Sequence, residues 1–166
     1  MTKIGRKGFM LAEVVVVSMV VSTVLITLFT GVNNVSSAFE TRNRYYDIDS
    51  MYAAIETNEI LKRNNVLQGA ITTAIELNSS VTEEIERYKN FYSSSTGDTI
   101  SIYITPYNSA SMGTLTSRNT NATFSEYLTY LNNNLDFSDD DYTHMIIVER
   151  KEKRDNDDCY YYALKL

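Results

Sequence analysis

The chain has 166 residues, of which 43% are hydrophobic and 22% are charged, which is the composition of a folded protein and excludes global disorder. A single cysteine excludes an intrachain disulfide framework and a multi-cysteine zinc site, and a single histidine leaves little material for a His-rich metal site or a conventional catalytic triad. The formal charge of −6 argues against a protein whose main affinity is for nucleic-acid phosphates. These averages conceal a strong asymmetry between residues 1–32 and the remainder.

The N-terminal residues have the pattern of a membrane-spanning segment. Residues 1–8 contain three basic side chains and no acid, and residues 9–32 contain one charge, Glu13. A helix formed by residues 9–32 would be about 36 Å long, which is enough to cross a hydrocarbon core of roughly 30 Å. The basic residues predict a cytoplasmic N-terminus. They therefore place everything after Val32, with 12 basic and 20 acidic residues, on the outer side.

A cleaved secretory signal peptide is the alternative explanation for this segment. Such a peptide has an apolar core of roughly 7–15 residues that ends at a small-residue cleavage site. Ser36-Ser37-Ala38 fits that site. The apolar run is longer than such a core, however, and a carboxylate at its fifth position is costly. These features favour a retained membrane helix.

Glu13 is the residue of this segment that most needs an explanation. An acid at the bilayer centre costs roughly 2.5–3.5 kcal/mol on insertion scales, and less near either end. The sequence has no cation between Phe9 and Val32, so a partner has to come from a terminus or from another chain. A position near the headgroups and a protonated side chain are alternatives that the sequence leaves open.

The junction between the basic and the apolar residues is Lys7-Gly8-Phe9-Met10-Leu11-Ala12-Glu13, followed by the run VVVVSMVVSTVLITLF. This pattern resembles the prepilin signature of type IV pilins and pseudopilins and covers about a fifth of the chain. The resemblance implies that prepilin peptidase cuts after Gly8 on the cytoplasmic side and methylates Phe9. It also implies that Glu13 acts in filament assembly. Many pilins carry a proline late in the apolar run, whereas this chain has only Gly31 there as a helix-weakening residue.

Residues 33–63 predict an amphipathic continuation of the same helix, because they contain no proline and no glycine. Five apolar side chains recur at three- and four-residue steps: Tyr45, Ile48, Met51, Tyr52 and Ile55. This spacing is typical of one apolar helical face, which we expect to pack on a domain. The prediction is therefore one helix from Phe9 to about Arg63, with any weakening at residues 31–34.

Residues 64–166 predict a small α+β domain outside the membrane. Residues 66–77 are ambiguous between helix and strand. The other predicted elements, in chain order, are a helix from Thr82 to about Tyr92, a strand Thr99–Thr105, a surface loop 108–123, one or two helical turns in Ser125–Leu131, and an antiparallel hairpin of strands Tyr142–Arg150 and Cys159–Leu166. We therefore expect an α+β fold in which the long N-terminal helix packs against a small antiparallel sheet.

Candidates for catalysis are weak in this outer part. His144 alternates with apolar neighbours in a predicted strand, which is typical of a structural histidine. Cys159 follows Asp157 and Asp158, whose charges raise a thiol pKa and disfavour a nucleophile. An intermolecular disulfide through Cys159 stays open. We expect no catalytic residue, no metal ligand and no cofactor.

Clusters of like charge leave calcium binding and DNA binding as alternatives. The acidic clusters are Asp139-Asp140-Asp141 and the group Asp155, Asp157 and Asp158. Both lack the spacing and glycine of a calcium loop, which favours solvated turns. The basic cluster is Arg150, Lys151, Lys153 and Arg154. Interrupting acids favour a charged hairpin tip for this cluster over a DNA contact, and the run Tyr160-Tyr161-Tyr162 is typical of a strand with aromatics on both faces.

Together with the resemblance, these patterns predict a non-enzymatic structural subunit, a minor pilin or pilin-like protein, of a type IV pilus or related filament. The expected partners are other pilin subunits, prepilin peptidase, the inner-membrane assembly machinery and membrane lipid, with DNA only weakly supported. The expected location is a single-pass membrane protein before assembly and a cell-surface filament afterwards. One alternative is a pseudopilin of a type II-like secretion or DNA-uptake system. The other is a membrane-anchored extracellular binding domain that does not polymerise.

Overall fold

The computed structural model describes residues 5–68, 71–118, 121–138, 141–153 and 158–166. They fall into two compact units, which we call the helical unit (Met1–Arg42) and the sheet unit (Asn43–Leu166). The helices are α1 (Gly5–Tyr45), α2 (Ile48–Arg63), α3 (Glu83–Thr96), α4 (Ser109–Arg118) and α5 (Ala122–Asn134), and the strands are β1 (Ile75–Glu76), β2 (Thr99–Pro106), β3 (His144–Lys151) and β4 (Cys159–Lys165). A short 3-10 helix covers Val66–Gln68.

The four strands form one antiparallel sheet in the order β1-β2-β3-β4. Ile104 pairs with Ile146 between β2 and β3, and Val148 pairs with Tyr162 between β3 and β4. The predicted strand after residue 98 and the predicted C-terminal hairpin are therefore confirmed. The α+β fold, with helix packed on a small antiparallel sheet, is also confirmed. The ambiguous residues 66–77 contain both the 3-10 helix and β1.

Helix α3 begins and ends at residues that favour those boundaries. The Thr82 side chain accepts a hydrogen bond from the backbone of Glu84, which caps the N-terminus. At the C-terminus Gly97 has φ of +84°, a left-handed conformation that glycine adopts without strain. The helix extends to Thr96, four residues beyond the predicted end at Tyr92.

Both faces of the sheet are covered by helices. On the first face, α2 and α3 pack over side chains such as Ile102 and Ile146. On the second face, α4 and α5 pack over Met145, Ile147 and Tyr161. Because both faces of β3 are covered, its residues 145–148 are buried as a continuous apolar run instead of alternating with polar residues. Neighbouring Tyr161 and Tyr162 face opposite cores, as predicted for the tyrosine run.

The prediction of a surface loop over residues 108–123 is wrong, because α4 and the start of α5 lie there. Serine, threonine and asparagine give this stretch low helix propensity, but Met112, Leu115 and Phe124 bury against the second face of the sheet. Tertiary packing of these side chains outweighs the local preference. The Asn121 side chain caps α5, which is also longer than the one or two predicted turns.

The long N-terminal helix is divided at Asp47 and not at Gly31, which lies inside α1. Asp47 has extended backbone, with φ of −70° and ψ of 128°. Its carboxylate accepts hydrogen bonds from the Ser50 backbone N and Oγ at 2.9 and 2.7 Å, and it thereby caps α2. Helix α2 therefore begins at Ile48 as a separate helix.

The apolar face predicted for residues 45–55 is not the face that α2 buries. The buried side chains of α2 are Ser50, Ala53, Ala54, Thr57, Ile60 and Leu61. Ile48, Tyr52 and Ile55 remain 64%, 63% and 43% exposed. Small side chains on the buried face allow the helix backbone to approach the sheet, and Ile60 and Leu61 complete the core. Met51 is half-buried, and Tyr45 packs on the second face of the sheet instead.

Candidate functional site

The apolar segment of α1 is exposed along its described length. From Glu13 to Asn43 every side chain is solvent-exposed, although most of the first half is Val, Leu, Ile, Met or Phe. Among the residues that the structure describes, this is the one helix with the length and apolar composition to cross a membrane. Its most apolar stretch has a mean hydropathy of 2.3, and none of it is buried. Such a surface requires lipid or other protein chains around it.

Four of the five hydroxyl side chains in residues 9–32 donate hydrogen bonds to the backbone of the helix itself. The side chains of Ser18, Thr23, Thr27 and Thr30 donate to backbone carbonyls three or four residues earlier, at 2.8–2.9 Å. An unsatisfied hydroxyl in hydrocarbon would be costly, and these hydrogen bonds remove that cost. These four side chains are therefore compatible with a fully apolar environment.

Gly8 and Phe9 lie in the first turns of α1, which begins at Gly5. The first four backbone N–H groups of a helix have no partner within it, and Gly8 falls among these four residues. Glu13 lies one turn beyond Phe9, about 6 Å along the helix axis. In the sequence the first cation after Glu13 is Arg42, so α1 provides no basic side chain within a turn of this carboxylate on either side.

Residues 44–46 join the end of α1 to the second face of the sheet. The Tyr45 ring packs against Tyr127 and Tyr130, with centroid distances of 5.0 and 4.9 Å. The Tyr46 hydroxyl lies 3.0 Å from the Tyr130 hydroxyl. Arg44 forms an ion pair of 3.3 Å with Asp158, the residue before β4. Three consecutive residues thus contact α5 and the hairpin.

The chain then crosses the edge of the sheet at Asp47. The Asp47 backbone N donates a hydrogen bond of 3.3 Å to the carbonyl of Tyr161 in the edge strand β4. Tyr45 lies on the second face of the sheet, whereas α2 lies on the first. This crossing explains why the helix is interrupted, since a continuous helix cannot pass from one face to the other around β4.

A buried ion cluster holds this crossing in place. Arg150 is 8% exposed in the sheet, and its guanidinium donates to both Asp47 oxygens and to Asp98. Burial alone would raise the pKa of Asp47, but the hydrogen bonds from Arg150 and Ser50 outweigh it and leave that pKa below its usual value. Burial opposes the charge of Arg150 too, and its two acidic partners nevertheless raise its pKa.

The basic cluster is smaller than the sequence indicated. Arg150 is buried against two acids and is not part of the hairpin surface. Lys151 and Lys153 line an open cleft of about 380 Å³ beside Gly97. Arg154 lies outside the described residues. The described part of this cluster therefore presents two lysines with Glu152 between them, which is a small footprint for phosphate binding.

The histidine and the cysteine occupy ordinary structural positions. His144 is half-buried at the start of β3, with its Nδ1 2.9 Å from the Thr143 hydroxyl. Cys159 is half-buried at the start of β4, and burial, followed by the charge of Glu149, raises the pKa of its thiol. The expected direction is therefore confirmed, with Glu149 as the acid that contributes; Asp157 lies outside the described residues.

The acidic clusters do not form a metal centre among the described residues, which contain no group of three or more His, Cys, Asp or Glu with suitable placement. Asp158 is paired with Arg44. Asp141 is exposed and has a partner of its own. The remaining acids of both predicted clusters lie outside the described residues.

Two exposed apolar surfaces of the sheet unit were not predicted from the sequence. The first, which we call the α2 stripe, consists of Ile48, Tyr52 and Ile55 on the outward side of α2. The second is a cleft of about 210 Å³, the tyrosine cleft, between α5, β4 and the end of α1. Its lining includes Tyr45, Tyr46, Tyr130, Leu135, Ala163 and Lys165. The spacing of the stripe was visible in the sequence, but its outward orientation depends on where the sheet lies.

Comparisons of the chain with protein-family models, with curated proteins and with solved structures found no match.

Proposed function

We propose that this chain is a structural subunit of a type IV pilus or a related filament, anchored in the membrane by α1 before assembly. The observation that carries the proposal is Glu13, an exposed acid near the start of a long apolar helix. The helix has no basic side chain within one turn of this acid. An isolated acid in such a helix is expensive in lipid and needs a partner from elsewhere.

Cleavage after Gly8 would create that partner. The new terminus is the amine of Phe9, which keeps its positive charge after methylation. In a filament, Glu13 of one subunit pairs with the Phe9 amine of its neighbour. Non-directional apolar packing does not fix the relative height of two helices, whereas this ion pair does, because an unpaired charge among apolar side chains is costly.

The two units have separate tasks in this proposal. The apolar part of the helical unit packs against the same part of neighbouring subunits and replaces lipid with protein. The sheet unit closes its own cores on both faces of the sheet and presents its surface to solvent. With 20 acidic and 12 basic residues after Val32, that surface stays soluble on the outer side of the membrane.

Intact-mass measurement of membrane-extracted protein tests the processing step. We expect a chain that begins at Phe9 and carries one methyl group. Gly8→Val should leave uncut precursor, since a β-branched residue hinders close approach of the protease to the extended backbone. Gly5→Val is the matched control and should be cut normally. A chain that retains residues 3–8, or one that begins at Phe39, would contradict the proposal.

A membrane-anchored binding domain that never polymerises is the second candidate, and the self-contained cores of the sheet unit favour it. Mechanical shearing of cells separates the two candidates. A filament subunit appears in the sheared, sedimentable fraction, whereas an anchored monomer stays entirely in the membrane pool.

A further inference from the structure

We infer that Asn78 is a site of N-linked glycosylation, at which a sugar is joined to the side-chain nitrogen on the outer side of the membrane. The sugar donor is an oligosaccharide carried on a lipid diphosphate. This inference rests on the outer location that the proposed function gives to the sheet unit, but it does not depend on polymerisation.

Three segments of the chain have the acceptor pattern Asn-x-Ser/Thr, in which x is not proline. They are Asn34-Val35-Ser36, Asn78-Ser79-Ser80 and Asn121-Ala122-Thr123. A pattern this short is common by chance, so it indicates an acceptor only where the asparagine lies in an accessible surface loop. The three segments differ in this respect.

Residues 78–80 are three consecutive exposed residues in the loop between β1 and α3. The buried Leu77 fixes the start of this loop, because its backbone N donates to the carbonyl of Ile102 at 2.8 Å. The Asn78 carbonyl accepts a hydrogen bond from the backbone N of Val81 at 3.0 Å. The loop is thus held at the rim of the sheet, with the Asn78 side chain in solvent.

Ser80 acts directly on the Asn78 side chain. Its hydroxyl and its backbone N both donate hydrogen bonds to Oδ1 of Asn78. These bonds draw electron density toward Oδ1 and make a proton on Nδ2 easier to remove. Among the described residues, none accepts a hydrogen bond from Nδ2 of Asn78. The serine of the pattern therefore prepares the amide for reaction, and the amide nitrogen is accessible to the sugar donor.

The other two asparagines lack this arrangement. Asn34 and Ser36 both lie within α1, where side chains two residues apart do not face each other, so the Ser36 hydroxyl is directed away from the Asn34 amide. Asn121 is half-buried, its Nδ2 donates to Glu149 at 2.9 Å, and its Oδ1 caps α5. The Asn121 amide is therefore committed to the fold.

An acid two residues before Asn78 distinguishes this site further. The exposed Glu76 and the exposed Asn78 lie on either side of one buried residue, so both point to the same side of the chain. The Glu76 side chain is 48% exposed, with the Lys89 ammonium 3.8 Å from its carboxylate. The corresponding positions before the other two asparagines carry Val32 and Asn119. A transferase with a basic contact therefore favours Asn78.

The reaction exchanges one bond at the sugar. Nδ2 of Asn78 attacks the anomeric carbon of the donor, a C–N bond forms, and the C–O bond to the diphosphate breaks. The lipid diphosphate leaves with the electron pair of that bond, and one amide proton passes to a base of the transferase. The step needs no oxidant and no reductant.

Intact-mass measurement of the full-length chain, extracted from membranes of the cells that naturally produce it, tests the inference. We expect a mass above that of the cleaved and methylated chain by at least one sugar residue. Asn78→Gln and Ser80→Ala should both abolish this excess, because the first lacks the acceptor nitrogen and the second lacks the hydroxyl. Asn34→Gln and Ser79→Ala are the matched controls and should keep the excess. All four side chains are exposed, so the fold should tolerate these changes.

Two results would overturn the inference. The first is a chain without any sugar mass. The second is a sugar mass that survives in the Asn78→Gln variant, since the sugar would then be attached elsewhere.

The outcomes also separate this inference from the proposed function. Sheared filaments built from sugar-free chains would overturn the glycosylation and leave the filament proposal standing. A chain that carries the sugar at Asn78 but stays entirely in the membrane pool would overturn the filament proposal and leave the acceptor site standing.

Discussion

The guanidinium of Arg150 donates two hydrogen bonds of 3.0 Å to the carboxylate of Asp47, which lies 103 residues earlier in the chain. The same guanidinium donates a third, of 2.8 Å, to Asp98. Because Asp47 also caps α2, one carboxylate joins the start of that helix to the interior of the sheet. Removal of either partner would leave the other as an uncompensated buried charge, which is strongly destabilising.

Asp47→Ala should lower the free energy of unfolding of the sheet unit by about 3–5 kcal/mol, because it leaves part of a buried guanidinium without its partner. The measurement is chemical denaturation of the full chain in detergent, followed by near-ultraviolet circular dichroism of its 13 tyrosines. Glu59→Ala is the control, since Glu59 forms an exposed pair with Lys62 and should cost about 1 kcal/mol or less. Equal stability of the two variants would contradict the role given to the cluster.

Stability at low pH should depend on Asp47. Its pKa is below the ordinary value of 3.8 in the folded protein, so the unfolded chain binds the proton more tightly. The resulting stabilisation is complete above the unfolded pKa and is lost as the pH falls through the folded pKa. Asp47→Asn should therefore show less additional destabilisation below about pH 4 than the unmodified chain. Parallel pH profiles of the unfolding midpoint would contradict this expectation.

Glu149 should make stability depend on pH in the opposite direction to Asp47. Burial raises its pKa above the ordinary value of 4.5, and Glu76 adds to the increase. The folded protein therefore binds this proton more tightly, and stability falls as the pH rises through the unfolded and then the folded pKa. Glu149→Gln should remove this pH dependence of stability, because an amide does not titrate. The amide oxygen can still accept the hydrogen bonds of Asn121 and Tyr161, which lie 2.9 and 3.4 Å from the carboxylate.

Denaturant midpoints at pH 5 and pH 7 provide the measurement for Glu149. The unmodified chain should lose more stability over this interval than the Glu149→Gln variant does. The prediction fails if both lose the same amount.

Glu13→Gln and Glu13→Ala should leave membrane insertion and cleavage largely intact and impair entry into filaments. The physical reason is that both remove the charge that pairs with the neighbouring Phe9 amine, while α1 keeps its apolar length. The measurement compares sheared filaments with the membrane pool for each variant. Ser18→Ala is the matched control on the same helix and should assemble normally. Normal incorporation of both Glu13 variants would show that this acid is only a tolerated polar residue.

The sheet was predictable from the sequence, and the helices over its second face were not. The hairpin strands have β-branched and aromatic runs that indicate strand directly. Half of the residues of helix α4, by contrast, are serine or threonine, and Met112 and Leu115 hold the helix through contacts with distant parts of the chain. Sequence alone does not reveal such long-range burial.

The interruption at Asp47 had a local signal, whereas the exposed stripe had a misleading one. An aspartate three residues before Ser50 fits a helix N-cap, and that pattern marks the start of α2. The apolar spacing of Ile48, Tyr52 and Ile55 indicated a buried face. The true buried face carries Ala53 and Ala54, whose small side chains contribute little to an apolar pattern. Close approach of a helix to a sheet selects small residues as well as large ones.

The crossing at the sheet edge has a mechanical consequence. A pulling force on the sheet unit through its first residues acts on Arg44, Tyr45 and Asp47, which contact the hairpin, α5 and β3 respectively. The load is shared among an ion pair, a cluster of aromatic rings and a buried guanidinium. The edge strand β4 cannot then be peeled away one hydrogen bond at a time, because the tension also reaches the centre of the sheet through Arg150.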